Sequence, residues 1–287
     1  MASKYSDNAD ELQHNQRISD FDQNPCEYLL PIKGYEKKPV VSLEEAIEPI
    51  VVYVPEVKRM AHLAKCRCKK PPADGLSVDE SASIMLYSMD WQPKEECLYH
   101  VLNATLRSED REKLVPWFLY LKLILTALDR LPLTHRSVYR GIKLDLTKDY
   151  SKGSRVIWWG FTSCTSTIAV LSNKDFMGSS GTRTFFTIEC TSGKDISQHS
   201  YYAKEEEILL PPGREFQVSA CLDQSGGLYM VQLKEVQPPY PHLEPVSKVS
   251  ETITFYSFSH LIFFRMFIKP LQQFRRFLHQ TGSIAIQ

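Results

Sequence analysis

No sign of charge dominates this chain. Lysine plus arginine and aspartate plus glutamate number 34 each in 287 residues, so the totals support neither a basic nucleic-acid surface nor a preference for acidic partners. Any charge that matters is local. The chain also lacks an apolar run of the ~20 residues that a bilayer span needs. Its best candidates, "WFLYLKLILTAL" (Trp117 to Leu128) and "TFYSFSHLIFFRMFI" (Thr254 to Ile268), fall short, and each contains a cation or a histidine. The opening "MASKYSDNADELQHNQRISDFDQNP" has no apolar core segment or small-residue cleavage site, so no secretory signal and a cytoplasmic location are expected. Seven cysteines at irregular positions suit reduced thiols better than a disulfide framework. Cys66 and Cys68 lack the second pair of a zinc site, so no metal is expected. There is no G-x-S-x-G elbow of a serine hydrolase and no internal repeat.

What is present is an ordinary globular composition, 43% hydrophobic and 24% charged, in a chain long enough for one large domain or two small ones. Residues 1–40 show little apolar periodicity and read as a flexible polar arm. Order is expected to begin near "SLEEAI", where Ser42 precedes Glu45 at the spacing of a capping box; Ser77 and Glu80 repeat that spacing. From there to about Arg130 apolar residues recur at three and four, the pattern of helices. After "LPLTH" the texture changes to short apolar runs: "SVYRGIKL", "RVIWWGFTSC", "TRTFFTIEC", "EEILL", "REFQVSACL" and "LYMVQLKEV" read as strands. Helices first and strands second predict an α+β domain over residues 41–240, a helical layer packed on a mostly antiparallel sheet or sandwich. The aromatic and basic tail, 241–287, reads as an added helix; a membrane-surface amphipathic segment and a disordered tail are the alternatives.

Three constellations could carry chemistry. In "VYRGI", Arg140 lies within an apolar strand, where a guanidinium needs an anion, and Gly141 beside it allows close approach to the backbone. The bland alternative is an edge arginine paired with a carboxylate. In "WWGFTSCTST" an aromatic strand ends in hydroxyls, Ser163, Thr165 and Ser166, able to orient a carboxylate or hold a sugar hydroxyl; alone it is only a polar turn. In "YYAKEEEILLPPG" an extended backbone would set Glu205 and Glu207 on one face and Glu206 on the other, an arrangement suited to acid/base work or cation stabilisation. Composition alone favours a solvated charge run.

In this order and spacing the three pieces resemble the mono-ADP-ribosyltransferase family of the arginine-specific R-S-E class. "VYRG" matches its arginine strand, "GFTSCTS" its S-T-S strand and "EEEILLPPG" its E-x-E strand, and the resemblance covers roughly Leu43 to Pro239. One departure is Ser163-Cys164-Thr165 where the family has Ser-Thr-Ser; the first hydroxyl survives, and only local packing at Cys164 is put in doubt. The resemblance implies a helical layer on an ADP-ribosyltransferase β-sandwich, NAD as substrate without a metal, and a protein arginine as acceptor, with no nucleic acid involved. It implies Tyr139, Arg140, Gly141 and Ser163 as the NAD-binding set: Arg140 for the phosphates, the Gly141 backbone for the carboxamide, and Ser163 to hold Glu207 and support the ribose. Glu207 would stabilise positive charge on the sugar as nicotinamide leaves. Glu205 would engage the acceptor guanidinium, which needs a base because its pKa exceeds ~12. Tyr201 or Tyr202 would face the acceptor, or else pack as core aromatics. Alternative functions are an NAD glycohydrolase with water as acceptor and a non-catalytic NAD- or partner-binding module.

Overall fold

The computed structural model describes residues 28–171, 177–178, 180–203 and 206–246. The tail proposed as helical or membrane-facing, from residue 247 on, lies outside the described residues, as do residues 1–27 of the expected arm.

Five helices form the first layer: α1 (Leu43–Ile47), α2 (Val57–Arg67), α3 (Val78–Ser88), α4 (Leu98–Leu106) and α5 (Phe118–Arg130). Both expected N-caps form. Ser42 Oγ accepts the Glu45 N–H, and Ser77 and Glu80 complete a reciprocal capping box that satisfies two otherwise orphaned donors. The apolar run around Leu121 is α5, 13 residues long, entered through a 3-10 turn containing Pro116 and buried by Leu121, Ile124 and Leu128. It is a core helix. Burying each such side chain stabilises by about 1.5–3 kcal/mol. Among the described residues no helix is long and apolar enough to cross a membrane.

The described part of the expected arm, 28–40, is packed rather than loose: Ile32 and Tyr35 are fully buried, and Ile32 bridges Leu243. Isolated apolar residues without a period conceal this, because their partner lies some two hundred residues along the chain.

The second layer holds β1 (Leu133–Ile142), β2 (Arg155–Trp158), β3 (Thr162–Thr165), the one-turn α6 (Ile168–Leu171), β4 (Arg183–Asp195), β5 (Glu207–Leu210), β6 (Arg214–Asp223) and β7 (Leu228–Val236). Their order is β1-β3-β5-β4-β7-β6-β2, with β1 also paired to β4. Every pairing is antiparallel except β4 with β7. β4 is 13 residues long; most of it pairs β1 and β7, and its last residues pair β5. One apolar cluster joins the helices to Trp159, Phe161 and Leu209; a second, with Val138, Ile142, Ile188, Ile208 and Val231, is built mainly from strands, with Leu146 and Tyr150 added from the segment after β1. The fold is therefore α+β, a helical layer on a mostly antiparallel β-sandwich.

The expected single strand "RVIWWGFTSC" is two. Asn103 of α4 makes the break: its Oδ1 accepts the Phe161 N–H at 2.9 Å and its Nδ2 donates to the Phe161 carbonyl at 3.2 Å. Gly160 passes so close that a Cβ there would lie 3.0 Å from Asn103 Oδ1. β2 then pairs β6 at the far edge, while β3 enters between β1 and β5.

Candidate active site

The sheet order makes β1, β3 and β5 neighbours, so Arg140, Ser163 and Glu207 lie on adjacent strands. The register refines this. Tyr139 is opposite Thr165, and Thr165 is opposite Glu207. Residues directly opposite share a face, and Ser163, two before Thr165, shares it too. Tyr139, Ser163, Thr165 and Glu207 thus point towards the helical side, where Leu209 also packs. Arg140 points the other way, between Val138 and Ile142, and is 7% exposed.

The Arg140 guanidinium is close to β3 all the same. Its Nη1 donates to the Ser163 carbonyl at 2.6 Å, tying β1 to β3 through the backbone. Cys164, on the same face as Arg140, is fully buried, and burial pushes its thiol up to about 12, against an opposing pull from Arg140. It is an inert packing thiol. That answers what the departure at this position changes.

Glu207 opens β5 and has no exposed surface. A carboxylate so placed needs hydrogen bonds to offset desolvation. One comes from Ser200, whose Oγ donates to Glu207 Oε2 at 3.2 Å. The resemblance had implied Ser163 in that role. The register explains the difference: Ser163 stands opposite Leu209, one pair along from Glu207's own partner on that face, Thr165. Ser163 Oγ is buried without a hydrogen-bond partner among the described residues. Serine in a turn rich in polar residues carries little signal by itself, so Ser200 was missed.

Glu205 lies outside the described residues. Glu206 is exposed and takes φ +47°, a left-handed conformation, so the strand begins at Glu207 and no extended backbone runs through the acidic cluster. Glu206 Oε2 accepts from Thr167 Oγ1 at 2.5 Å and Ser166 Oγ at 2.9 Å, and these two bonds hold its carboxyl below the ordinary value.

Tyr139 stacks on Phe185 with ring centroids 5.8 Å apart. A Cβ on Gly141 would lie 3.0 Å from Met177 Cβ, so only glycine leaves that contact unstrained. Tyr201 and Tyr202 meet edge to face, and the Arg67 guanidinium lies 4.3 Å from the Tyr201 ring centre. A separate recess lined by Arg136, Glu189, Lys234 and Glu235 includes none of these residues. Among the described residues no cluster of His, Cys, Asp or Glu could hold a metal ion.

A family model described as NAD:arginine ADP-ribosyltransferase matches residues 34–238. The chain belongs to the NAD:arginine ADP-ribosyltransferase family. A relative from Mycobacterium avium (strain 104), named as an NAD(+)–arginine ADP-ribosyltransferase, Mav, is 34% identical over 112 residues, 38% of this chain. The chain spans only 13% of that relative's length. Among solved structures it is similar to the ADP-ribosyltransferase Vis in complex with agmatine, 20% identical with a TM-score of 0.45, over 71% of this chain and 90% of that one. It is also similar to the eukaryotic mono-ADP-ribosyltransferase ART2.2, 18% identical with a TM-score of 0.45, over 74% of this chain and 98% of that one. Membership in the family starts at residue 34, inside the segment that the sequence pattern assigned to a loose arm.

Proposed function

We propose that this chain transfers ADP-ribose from NAD to arginine side chains of proteins, releasing nicotinamide. The observation that carries the reading is a wholly buried, hydrogen-bonded carboxylate, Glu207, sharing one face with a buried Ser163 hydroxyl that has no protein partner among the described residues. A buried hydroxyl rarely goes unsatisfied without a ligand or water to meet it. A hydroxyl and a carboxylate side by side suit the donor and acceptor pattern of a ribose. NAD would supply the sugar carbon and the nicotinamide leaving group. Glu207, fixed and shielded from bulk water, supplies negative charge where positive charge develops, and such preorganised charge acts more strongly in a low-dielectric site than in solution. Ser163 takes the ribose hydroxyls.

Arg140 is proposed for the phosphate side. Its charge is held at the β1–β3 seam, where its Nη1 donates to the Ser163 carbonyl, and a guanidinium's planar fork suits a phosphate. Tyr139 and the Gly141 backbone complete the NAD-binding set, and Glu205 is kept as the proposed base for the acceptor guanidinium. The same bond breaking with water as acceptor would be glycohydrolase activity. NADP in place of NAD and a cytoplasmic setting remain part of the proposal.

The test is incubation of the full chain with labelled NAD and polyarginine. Label on the acceptor is the expected result; free ADP-ribose alone would assign a glycohydrolase, and no NAD consumption a binding module. Glu207→Gln is expected to abolish nicotinamide release, while Glu206→Gln keeps most of it. Equal losses for the two would refute the division of the acidic cluster.

A further inference from the structure

We propose that Ser200 is the positioning residue of Glu207, and that an Asp74–His199–Ser81 chain of hydrogen bonds holds Ser200 in range. The inference rests on the reading of Glu207 as the catalytic carboxylate. It assigns the serine that orients Glu207 to the loop before β5, not to β3.

The direction of each bond follows from counting protons. Ser200 Oγ accepts the Tyr202 N–H at 3.2 Å, which leaves its one hydroxyl proton for Glu207 Oε2, also at 3.2 Å. Ser200 is 5% exposed, so water does not compete freely for that proton. The Ser200 backbone is fixed as well, its N–H donating to the Ile196 carbonyl at 2.7 Å. Next to it, the His199 ring is 1% exposed and bonded at both nitrogens: Nε2 is 3.0 Å from Asp74 Oδ2 and Nδ1 is 2.9 Å from Ser81 Oγ. Cys68 Sγ donates to the same Ser81 oxygen at 3.5 Å, so the Ser81 proton is left for Nδ1, and Nε2–H points at the carboxylate.

Ser81 and Ser88 are two turns apart on α3, hence on one face of it. Ser88 Oγ accepts the Tyr201 N–H at 2.7 Å. One helix therefore grips the turn on both sides of Ser200, at residues 199 and 201, and the capping box at Ser77 fixes that helix in turn. A loop tied in this way can place a side chain with the precision of the helix it is tied to.

The test uses the full chain and nicotinamide release. Ser200→Ala is expected to lower kcat roughly tenfold to hundredfold with KM for NAD within about twofold, the cost of a slightly misplaced reacting group. Ser200→Thr, which keeps the hydroxyl, should recover most of that loss. His199→Gln should lower kcat in the same direction, and the His199→Gln/Ser200→Ala double variant should be little worse than Ser200→Ala, because the two act through one contact. Thermal unfolding of each variant separates lost folding from lost positioning. If Ser200→Ala keeps the parental kcat while Glu207→Gln is inactive, the positioning role is wrong and the carboxylate reading stands. Additive losses in the double variant would break the link through His199. Parental activity in Glu207→Gln would overturn the carboxylate reading and this inference with it.

Discussion

Replacing Asn103 by alanine should destabilise the protein by roughly 3 kcal/mol, and the figure follows from what its amide holds. Oδ1 accepts the Phe161 N–H at 2.9 Å; Nδ2 donates to the Phe161 carbonyl at 3.2 Å and to the Tyr87 hydroxyl at 3.2 Å. Asn103 and Phe161 are both buried, 6% and 3% exposed, so water cannot stand in for the lost amide without opening the core. Stranding the Phe161 N–H costs about 1–3 kcal/mol, and each weaker bond adds about 0.5–1 kcal/mol net. For a domain of this size that is a fall in Tm of about 6–12 °C. Urea unfolding followed by tryptophan fluorescence measures it, because Trp158 and Trp159 flank the affected bend. Ser163 lies two residues beyond Phe161, so kcat should fall with stability even well below the new Tm. A loss under about 1 kcal/mol would show that Asn103 merely lies beside the bend, since a buried N–H left without a partner costs at least that much.

A second expectation concerns Glu80, whose carboxylate accepts the Ser77 N–H at 2.7 Å and both oxygens of which meet Arg130 Nη1, at 2.8 and 2.9 Å. Burial alone would raise its pKa, but the Ser77 and Arg130 bonds prevail and hold it below the ordinary carboxylate value. A folded pKa below the unfolded one adds stability that is complete above the unfolded pKa and is lost as pH falls through the folded pKa. Arg130 is half exposed, which discounts the pair, so Glu80→Gln should cost about 1–2 kcal/mol at neutral pH. As pH falls through the folded pKa the urea midpoints of variant and parent should converge, and an unchanged gap would refute the assignment. The cysteines give a third expectation. A thiol pushed up to about 12 by burial stays protonated at neutral pH, so an alkylating reagent should label exposed Cys66 and spare Cys164 in the folded chain. Mass spectrometry after timed labelling checks this, and equal rates at the two cysteines would be the contrary result.

What the sequence makes legible is what is local or ordered by motif. The Ser77–Glu80 box spans one turn, and its two residues are enough to specify it. Arg140, Ser163 and Glu207 are found because the order and spacing of three motifs resemble the family's, and sheet order then makes neighbours of strands that the motifs only place in sequence. What escapes is held by single contacts across long separations. Asn103 acts on Phe161 over 58 residues, and Ser81 on His199 over 118. No periodicity marks either pair. The conformation of Glu206 escapes for another reason: its positive φ falls on a residue type that rarely adopts one, with no glycine to announce it.

That left-handed residue is what makes the acidic cluster workable at the edge of the core. An extended run through Glu206 would keep the chain in plane with β3 and alternate its acids across two packed faces. The reversal instead ends the ladder beyond the Thr165–Glu207 pair and turns Glu206 outward, where Ser166 and Thr167 bind its carboxylate. The Ser166 N–H also reaches the Glu206 carbonyl at 3.4 Å, so the turn is closed by backbone as well as side chain. Glu206 therefore fixes where β5 starts, and Glu207 enters the core at once, followed by three further buried residues, Ile208 to Leu210. Because glutamine keeps an acceptor oxygen for Ser166 or Thr167, Glu206→Gln should preserve the turn. Glu206→Ala removes both bonds and should lower kcat by roughly tenfold by loosening the start of β5.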